Sequence, residues 1–191
     1  MAACGKTSNV PSSMAGDLRL PKGAECLVIL VHGSGGGHSN PRNQFIADYL
    51  SRHGMGTLVV DLLTRTEQRW DNLTLVAAAH SGSVRAVVSR GGRTDLAAEA
   101  LSRVSAPTLQ VVGSEDPMTL RLNVRTGQTL HCMQRLEVVN GATHLFKEPG
   151  ALADVARLTA DWFEMYLHKV PLPTGPLHRM NGKTSTSSSI G

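Results

Sequence analysis

The sequence predicts an α/β domain built on a largely parallel sheet with helices on its faces. Three observations lead to this prediction: short runs rich in β-branched residues alternate with helix-like runs, the first such run is continuous in apolar residues, and a glycine-rich loop follows it directly. Continuous apolar strands are typical of parallel sheets, whose strands are buried on both faces. Alternation of strands and helices along one chain is the pattern that builds such layered domains.

The predicted elements follow one another in regular order through the middle of the chain. The predicted strands cover residues 25–31, 57–62, 84–89, 108–112 and 135–139. The predicted helices cover residues 44–53, 95–104, 119–130 and 149–168, of which the last is long and amphipathic. A sheet of about five strands is therefore expected. Ligands of such sheets bind beyond the carboxyl ends of the strands.

The two ends of the chain lack this alternation. Residues 1–14 carry Ser, Asn, Pro and Gly without periodicity and are expected to form a flexible N-terminal arm. Residues 171–191 combine three prolines with a run of Ser and Thr and are expected to form a disordered tail. The sequence thus predicts one α/β domain over residues 15–170.

Composition argues against several classes of protein. Of 191 residues, 41% are hydrophobic and 18% are charged, as in a folded domain. The net charge is +4, yet the basic residues form no run, and seven aromatic residues are too few for a nucleic-acid surface. No apolar stretch reaches the roughly 18 residues of a membrane span, and residues 1–14 lack the apolar core of a secretory signal. We expect a cytoplasmic protein with neither nucleic-acid nor membrane partners.

The cysteines predict neither a disulfide framework nor a metal site. Cys4, Cys26 and Cys132 are odd in number and scattered, which fits reduced thiols. Their spacing does not match any metal-ligand motif. No cofactor and no metal are expected.

The loop after the first predicted strand has the composition of an anion-binding loop. It reads HGSGGGH over residues 32–38, and its glycines let backbone N–H groups approach a negatively charged oxygen. A phosphate loop would need G-x-G-x-x-G or G-x-x-x-x-G-K-[ST], and neither motif is present. An oxyanion hole of the H-G-G-G type, after an apolar strand, fits better. A surface loop without a function is the alternative.

A carboxylate and a histidine follow consecutive predicted strands. Asp116 comes after strand 108–112, and His144 comes after strand 135–139, 28 residues further on. Adjacent parallel strands end at one edge of a sheet, so the two side chains are expected within about 2.6–3.2 Å of each other. An aspartate in this position holds a histidine in one tautomer and stabilises its protonated form. Each residue alone is more often a turn cap or a surface residue, but together they predict a functional pair.

In their order, these motifs resemble those of the α/β-hydrolase superfamily, most of all its small dienelactone-hydrolase-like members. The resemblance covers residues 16–167. Its motifs are HGSG at 32–35, PRN at 41–43, VDLL at 60–63, VVSRGG at 87–92, GSEDP at 113–117 and GATHLF at 141–146.

The resemblance implies hydrolysis of an ester, a lactone or a similar acyl bond in a small-molecule substrate. It implies that Asp116 orients the histidine and that His144 acts as the base. It also implies that Gly33, Ser34 and Gly35 belong to the oxyanion loop.

The chain departs from this family at the nucleophile. Family members carry G-x-S-x-G at a strand-to-helix elbow, and this sequence contains no such motif. Only 21 residues separate the predicted strands 57–62 and 84–89, whereas two helices, an elbow strand and their loops need roughly 40. The sequence therefore predicts a sheet shortened by loss of a central helix-strand unit, with residues 75–79 as the remnant of the helix after the elbow. The edges exposed in this way favour a homodimer.

Three serines are weak substitutes for the missing nucleophile. Ser81 lies in AHSGS, which resembles an elbow, but the next predicted strand begins three residues later and leaves no room for a helix after the turn. A helix-to-strand turn is the better interpretation. Ser34 would have to attack from the glycine loop itself, and Ser89 belongs to a neighbouring strand. We expect that no competent nucleophile is present.

Three hypotheses about function follow. The chain is an acyl hydrolase by descent with impaired catalysis, a non-catalytic relative that binds a small ligand or a protein partner, or an incomplete form of a longer hydrolase. The missing elbow favours loss of activity, because removal of a triad nucleophile leaves only about 10³- to 10⁴-fold catalysis over water.

Overall fold

The computed structural model describes residues 16–31, 37–60 and 73–167. The strands in these ranges are β1 (Gly16–Arg19), β2 (Leu27–Val31), β3 (Gly56–Val60), β4 (Val87–Arg90), β5 (Thr108–Gly113) and β6 (Gln134–Val139). The helices are α1 (Pro41–Arg52), α2 (Leu73–His80), α3 (Ala98–Leu101), α4 (Pro117–Thr129) and α5 (Ala151–Leu167). A 3-10 turn over Thr94–Ala97 leads directly into α3.

The six described strands form two three-stranded sheets, whereas the sequence predicts a single sheet of about five strands. The first sheet has the order β1-β3-β2, with β1 antiparallel and β2 parallel to β3. The second has the order β4-β5-β6 and is entirely parallel. The mostly parallel pairing and the flanking helices confirm the predicted α/β fold class. The sequence pattern does not predict β1, because GDLR has little apolar content and the strand forms by pairing with β3.

Two helices differ from their predicted bounds for local reasons. Helix α1 begins at Pro41, three residues earlier than predicted, because the side chain of Asn40 accepts a hydrogen bond from Arg42 N at 2.9 Å. The helix predicted over 95–104 is a 3-10 turn followed by the short α3. After α3, a hydrogen bond from Val104 N to Leu101 O, three residues back, closes a turn in place of a further α-helical turn.

One apolar core joins the two sheets. Helix α5 packs on α1 and also on strands of the second sheet, while α1 packs on β3. Buried side chains of this core come from both halves of the chain, among them Val28, Leu50, Val111 and Phe163. A smaller cluster packs α2 and α3 against β4. The described halves are therefore held together through helices and not through strand pairing.

Strand β2 is buried on one face only, so the prediction of burial on both faces is wrong. Val28 is 4% exposed and belongs to the core, whereas Leu27 and Ile29 are 45% and 54% exposed. Alternate residues of a strand point to opposite faces. Among the described strands β2 lies at the edge of its sheet, and no described element covers the face of Leu27 and Ile29.

The end of β5 touches the loop that follows β6. A Cβ atom built on Gly113 would lie 2.1 Å from Ala142 O and 2.8 Å from Thr143 O. Ser114 N donates a hydrogen bond to Val139 O, and Glu115 N donates one to Ala142 O, both at 3.0 Å. Only a glycine fits this approach of two backbones.

We expect Gly113→Ala to lower the free energy of unfolding by roughly 2 kcal/mol, because the added methyl group meets backbone atoms that cannot turn away. Gly82→Ala is the matched control, since a Cβ there meets nothing within 4 Å. It should change stability by less than about 0.5 kcal/mol or increase it slightly. Urea unfolding of both variants measures the difference. Equal stability of the two variants would contradict this account of the close approach.

Candidate active site

Asp116 and His144 meet at the carboxyl ends of the adjacent strands β5 and β6. His144 Nδ1 lies 2.7 Å from Asp116 Oδ2, within the range expected from the sequence. A carboxylate can only accept, so Nδ1–H donates this hydrogen bond, and Nε2 of the neutral ring is left to accept a proton. The side chain of His144 is 54% exposed and that of Asp116 12%. The pair therefore presents its basic nitrogen on an accessible ring.

Each carboxylate oxygen of Asp116 has its own partner. Asp116 is the N-cap of α4, and its Oδ1 accepts a hydrogen bond from Thr119 N at 3.2 Å, while Oδ2 accepts from His144. Burial, the largest single influence, raises the pKa of Asp116, but the hydrogen bonds from Thr119 and His144 together outweigh it and lower the pKa. Asp116 is accordingly ionised at neutral pH. The same side chain begins a helix and orients the histidine.

A glycine after β4 forms one wall beside His144. Gly91 has a φ of +58°, and a Cβ built on it would lie 3.2 Å from His144 O and 3.7 Å from His144 Cε1. Asn123 of α4 is fully buried, and its Nδ2 donates to Gly92 O at 2.9 Å. Helix α4 thus holds both Asp116 and the loop that packs against the histidine. The sequence pattern includes Gly91 in VVSRGG but assigns neither Gly91 nor Asn123 to the site, although the paired glycines after β4 mark the position.

The loop after β6 has its own restraints. Gly141 N donates a hydrogen bond to Ser114 Oγ at 2.8 Å, and Thr143 Oγ1 donates to Glu148 Oε1 at 2.6 Å. Phe146 is buried and has a φ of +52°, which is uncommon for a side chain of this size. Strained conformations of this kind persist where surrounding contacts determine them, often at functional sites.

The other candidate residues do not join this pair in the described structure. Gly33, Ser34 and Gly35 lie outside the described residues. Ser81 follows the end of α2 and precedes β4, on the amino side of the strand. Its interpretation as an elbow nucleophile is wrong, because residues 75–79 form part of a helix and not a strand; the predicted helix-to-strand turn is confirmed. Ser89 lies within β4 and not beyond its end.

No hydroxyl or thiol of residues 16–31, 37–60 or 73–167 is hydrogen-bonded to the imidazole of His144. Ser114 is close in sequence, but its Oγ accepts from Gly141 N and donates to Glu115 at 3.2 Å. Cys26 and Cys132 precede β2 and β6, at the amino ends of the strands. Burial, and to a lesser degree the charge of Glu25, raise the pKa of the Cys26 thiol. Neither cysteine is placed as a nucleophile for His144.

Among the residues that the structure describes, no cluster of three or more His, Cys, Asp or Glu side chains could hold a metal ion. Nor does any helix within it have the length and apolar character needed to cross a membrane.

Solved structures of α/β-hydrolases match this fold. Dienelactone hydrolase from Anabaena variabilis is 35% identical, with a TM-score of 0.76 over 83% of this chain and 94% of that chain. The esterase Est1E from Butyrivibrio proteoclasticus shares the fold at 14% identity, with a TM-score of 0.67 over 82% of this chain and 95% of its own. The site and these likenesses define the class, and the chain belongs to the dienelactone-hydrolase-like family of α/β-hydrolases.

Two longer proteins of Mycobacterium tuberculosis, from strains CDC 1551 / Oshkosh and ATCC 25618 / H37Rv, are also similar. Each bears the name "Putative phosphoribosyl transferase" and is 38% identical over an alignment of 194 positions, which covers 80% of this chain and 44% of the relative. The chain therefore spans less than half the length of these relatives. No protein-family model matches the chain.

Asp116→Ala should lower the free energy of unfolding at pH 7 by about 1 kcal/mol, because the helix loses its cap. Urea unfolding of the variant and the wild type measures this loss.

Asp116→Asn retains a good cap but loses the charge that His144 contacts. The pKa of Asp116 is lowered in the folded protein, so its charge stabilises the fold above the ordinary aspartate pKa of about 3.9. That contribution is lost as the pH falls from there through the lower folded pKa.

Urea unfolding of the wild type and Asp116→Asn between pH 7 and pH 2.5 checks this prediction. The stability difference between them should shrink below about pH 4. If the difference in unfolding free energy grew towards acid pH, the stabilising role of the Asp116 charge would be contradicted.

Proposed function

We propose that this chain is an acyl hydrolase by descent, of the ester or lactone type, whose catalysis is impaired because the elbow nucleophile is missing. The observation that carries the proposal is the 2.7 Å hydrogen bond between Asp116 and His144 at the ends of β5 and β6. In a chain without G-x-S-x-G, this pair has no elbow hydroxyl to activate. The general base His144 and its aspartate are retained, but the elbow nucleophile that would attack the substrate is not.

The length of the alignment with the mycobacterial relatives supports a missing unit. The aligned stretch of 194 positions uses 80% of this 191-residue chain, about 153 residues. About 40 of the aligned positions therefore have no residue from this chain. That number accommodates a helix of about 11 residues, a strand of about 5 and their loops. Between β3 and β4 the described residues hold the single helix α2.

The retained pair defines what chemistry would remain. In an intact site, Nε2 takes the proton of the nucleophile and Asp116 stabilises the resulting imidazolium. No hydroxyl of the described residues is hydrogen-bonded to the imidazole, so we propose that Nε2 acts on water or another mobile proton donor. General-base catalysis of that kind contributes about 10²- to 10⁴-fold. We therefore propose slow hydrolysis of activated esters.

The transferase name of the mycobacterial relatives is not carried over to this chain. That name describes proteins of which 44% is matched, whereas the match with the Anabaena dienelactone hydrolase covers 94% of that enzyme. The part shared with both is the hydrolase-like domain. Hydrolysis of an acyl bond is accordingly the better-supported chemistry.

Two further candidate functions rest on separate observations. The exposed Leu27 and Ile29 on the edge strand β2 favour an incomplete form of a longer hydrolase, because a further strand and helix would cover them. A cavity of about 480 Å³ beside the loop after β6 favours a non-catalytic relative that binds a small ligand.

Purified protein should hydrolyse 4-nitrophenyl acetate only slightly above the uncatalysed rate and should not be labelled by a fluorophosphonate probe. His144→Gln should remove the residual rate, whereas His53→Gln, which changes an exposed histidine at the end of α1, should leave it unchanged. The Anabaena enzyme serves as the reference for turnover.

Rapid ester hydrolysis or strong labelling would refute the proposed impairment. Loss of the label in Ser34→Ala would then identify the nucleophile. A slow rate that does not depend on His144 would refute the role of the Asp116–His144 pair.

A further inference from the structure

Helix α4 buries a polar stripe instead of an apolar one. Its three buried side chains are Thr119, Asn123 and Thr126, which lie on one face of the helix at spacings of four and three residues. Helices of folded domains normally bury apolar side chains on such a face. Polar side chains are costly in this place unless they make hydrogen bonds, so the partners of the stripe indicate what it holds.

Asn123 connects α4 with the turn that follows β4. Its side chain is fully buried, and its Nδ2 donates hydrogen bonds to Gly92 O and to Thr119 O, both at 2.9 Å. The amide nitrogen has two hydrogens to donate, so two carbonyl partners determine the orientation of the amide. The bond to Thr119 O stays within the helix, whereas the bond to Gly92 O joins residues that are 31 positions apart in the chain.

Thr126 holds the same turn from the next turn of the helix. Thr94 Oγ1 lies 2.9 Å from Thr126 Oγ1 and 3.1 Å from Gln110 Oε1 of β5. All three residues are buried. The segment 91–94 is therefore attached to α4 at two points, at Gly92 and at Thr94.

This segment is one of two supports of the His144 ring. At the first support, Asp116 Oδ2 accepts the hydrogen bond from Nδ1 at 2.7 Å. At the second, Gly91 lies beside Cε1, the atom between the two ring nitrogens, because a Cβ built on this glycine would be 3.7 Å from it. A hydrogen bond at one atom leaves the ring free to tilt about that bond. A second contact at Cε1 fixes the direction in which Nε2 points.

We propose that Asn123 is a positioning residue, which fixes the direction of His144 Nε2 by holding both supports of the ring. Through Gly92 it holds the turn that packs against Cε1. Through Thr119 O it holds the turn of α4 whose Thr119 N–H binds Asp116 Oδ1 at 3.2 Å. That the ring acts as a base rests on the proposed function, whereas its orientation does not.

Asn123→Thr removes one of the two bonds selectively. Thr126 and Thr159 each donate from Oγ1 to the carbonyl four residues earlier, at 3.1 and 2.7 Å. A threonine at position 123 can make the same bond to Thr119 O but cannot also donate to Gly92 O, because a hydroxyl has one hydrogen. Asn123→Ser, which lacks the methyl group of threonine, takes its place if Asn123→Thr does not fold.

Thr108→Val is the matched control. Thr108 is buried, and its Oγ1 donates to Ala106 O at 3.0 Å. It lies at the amino end of β5, whereas Asp116 follows the carboxyl end. The control therefore loses one buried hydrogen bond away from both supports of the ring.

NMR of the resting protein measures the ring orientation without any turnover, at about pH 9, where a histidine is neutral. In the wild type we expect a nuclear Overhauser effect between Gly91 Hα and His144 Hε1. We also expect nitrogen chemical shifts of one tautomer, with the proton on Nδ1. In Asn123→Thr the Overhauser effect should weaken severalfold and the second tautomer should appear, because the ring loses one support. Thr108→Val should retain both wild-type signals.

Hydrolysis of 4-nitrophenyl acetate measures the consequence for the proposed reaction. In Asn123→Thr the His144-dependent part of kcat should fall about tenfold with KM unchanged, because a misdirected base loses much of its contribution. Thr108→Val should retain the wild-type rate.

Three results would overturn the proposal: a wild type without the Overhauser effect between Gly91 and His144, unchanged ring signals in the folded Asn123 variant, or equal changes in that variant and in Thr108→Val. Hydrolysis that depends on His144, with a ring that the Asn123 variant does not move, would leave the proposed function standing and refute the positioning role. A ring released by the variant, in a protein without His144-dependent hydrolysis, would do the reverse.

Discussion

The candidate site depends on the carboxylate of Asp116. One oxygen accepts the Thr119 N–H at the start of α4, and the other accepts the Nδ1–H of His144. Loss of either contact would leave a partly buried oxygen without a partner, and this is costly. The helix start and the orientation of the histidine are therefore fixed by the same group. Gly113 contacts Ala142, and Gly91 packs beside His144. These two contacts hold the carboxyl ends of β4, β5 and β6 in position around Asp116.

This arrangement explains how the pair persists in a shortened domain. Its contacts come from β4, β5, β6 and α4, which form one parallel sheet with a helix packed on it. None of these contacts uses β1, β2 or β3. The first sheet is joined to this half through α1, α5 and the hydrogen bond between Arg90 and Asn43. Loss of a unit between the two sheets would accordingly remove the nucleophile while leaving the base and its aspartate in place.

Part of this structure could be predicted from the sequence because it is determined locally. Asp116 and His144 follow strands that each show a clear apolar run, so their meeting at one edge follows from parallel pairing. The apolar run of β2 predicts burial on both faces, which is wrong. A continuous apolar run does not indicate which neighbouring elements cover the two faces of a strand. The division into two sheets depends on which strands pair. The roles of Gly91 and Asn123 depend on residues brought together from distant parts of the chain, and sequence spacing does not encode those contacts.

The most direct test of the account is to supply the missing unit. A helix-strand-elbow segment that carries G-x-S-x-G would be inserted between β3 and α2, once with the elbow serine and once with alanine there. With both inserts folded, the rate of 4-nitrophenyl ester hydrolysis is measured. The account predicts a gain of several orders of magnitude for the nucleophile-bearing insert, none for the alanine insert, and loss of the gain in His144→Gln. Equal rates for the two folded inserts would contradict the claim that the base half of the site is intact.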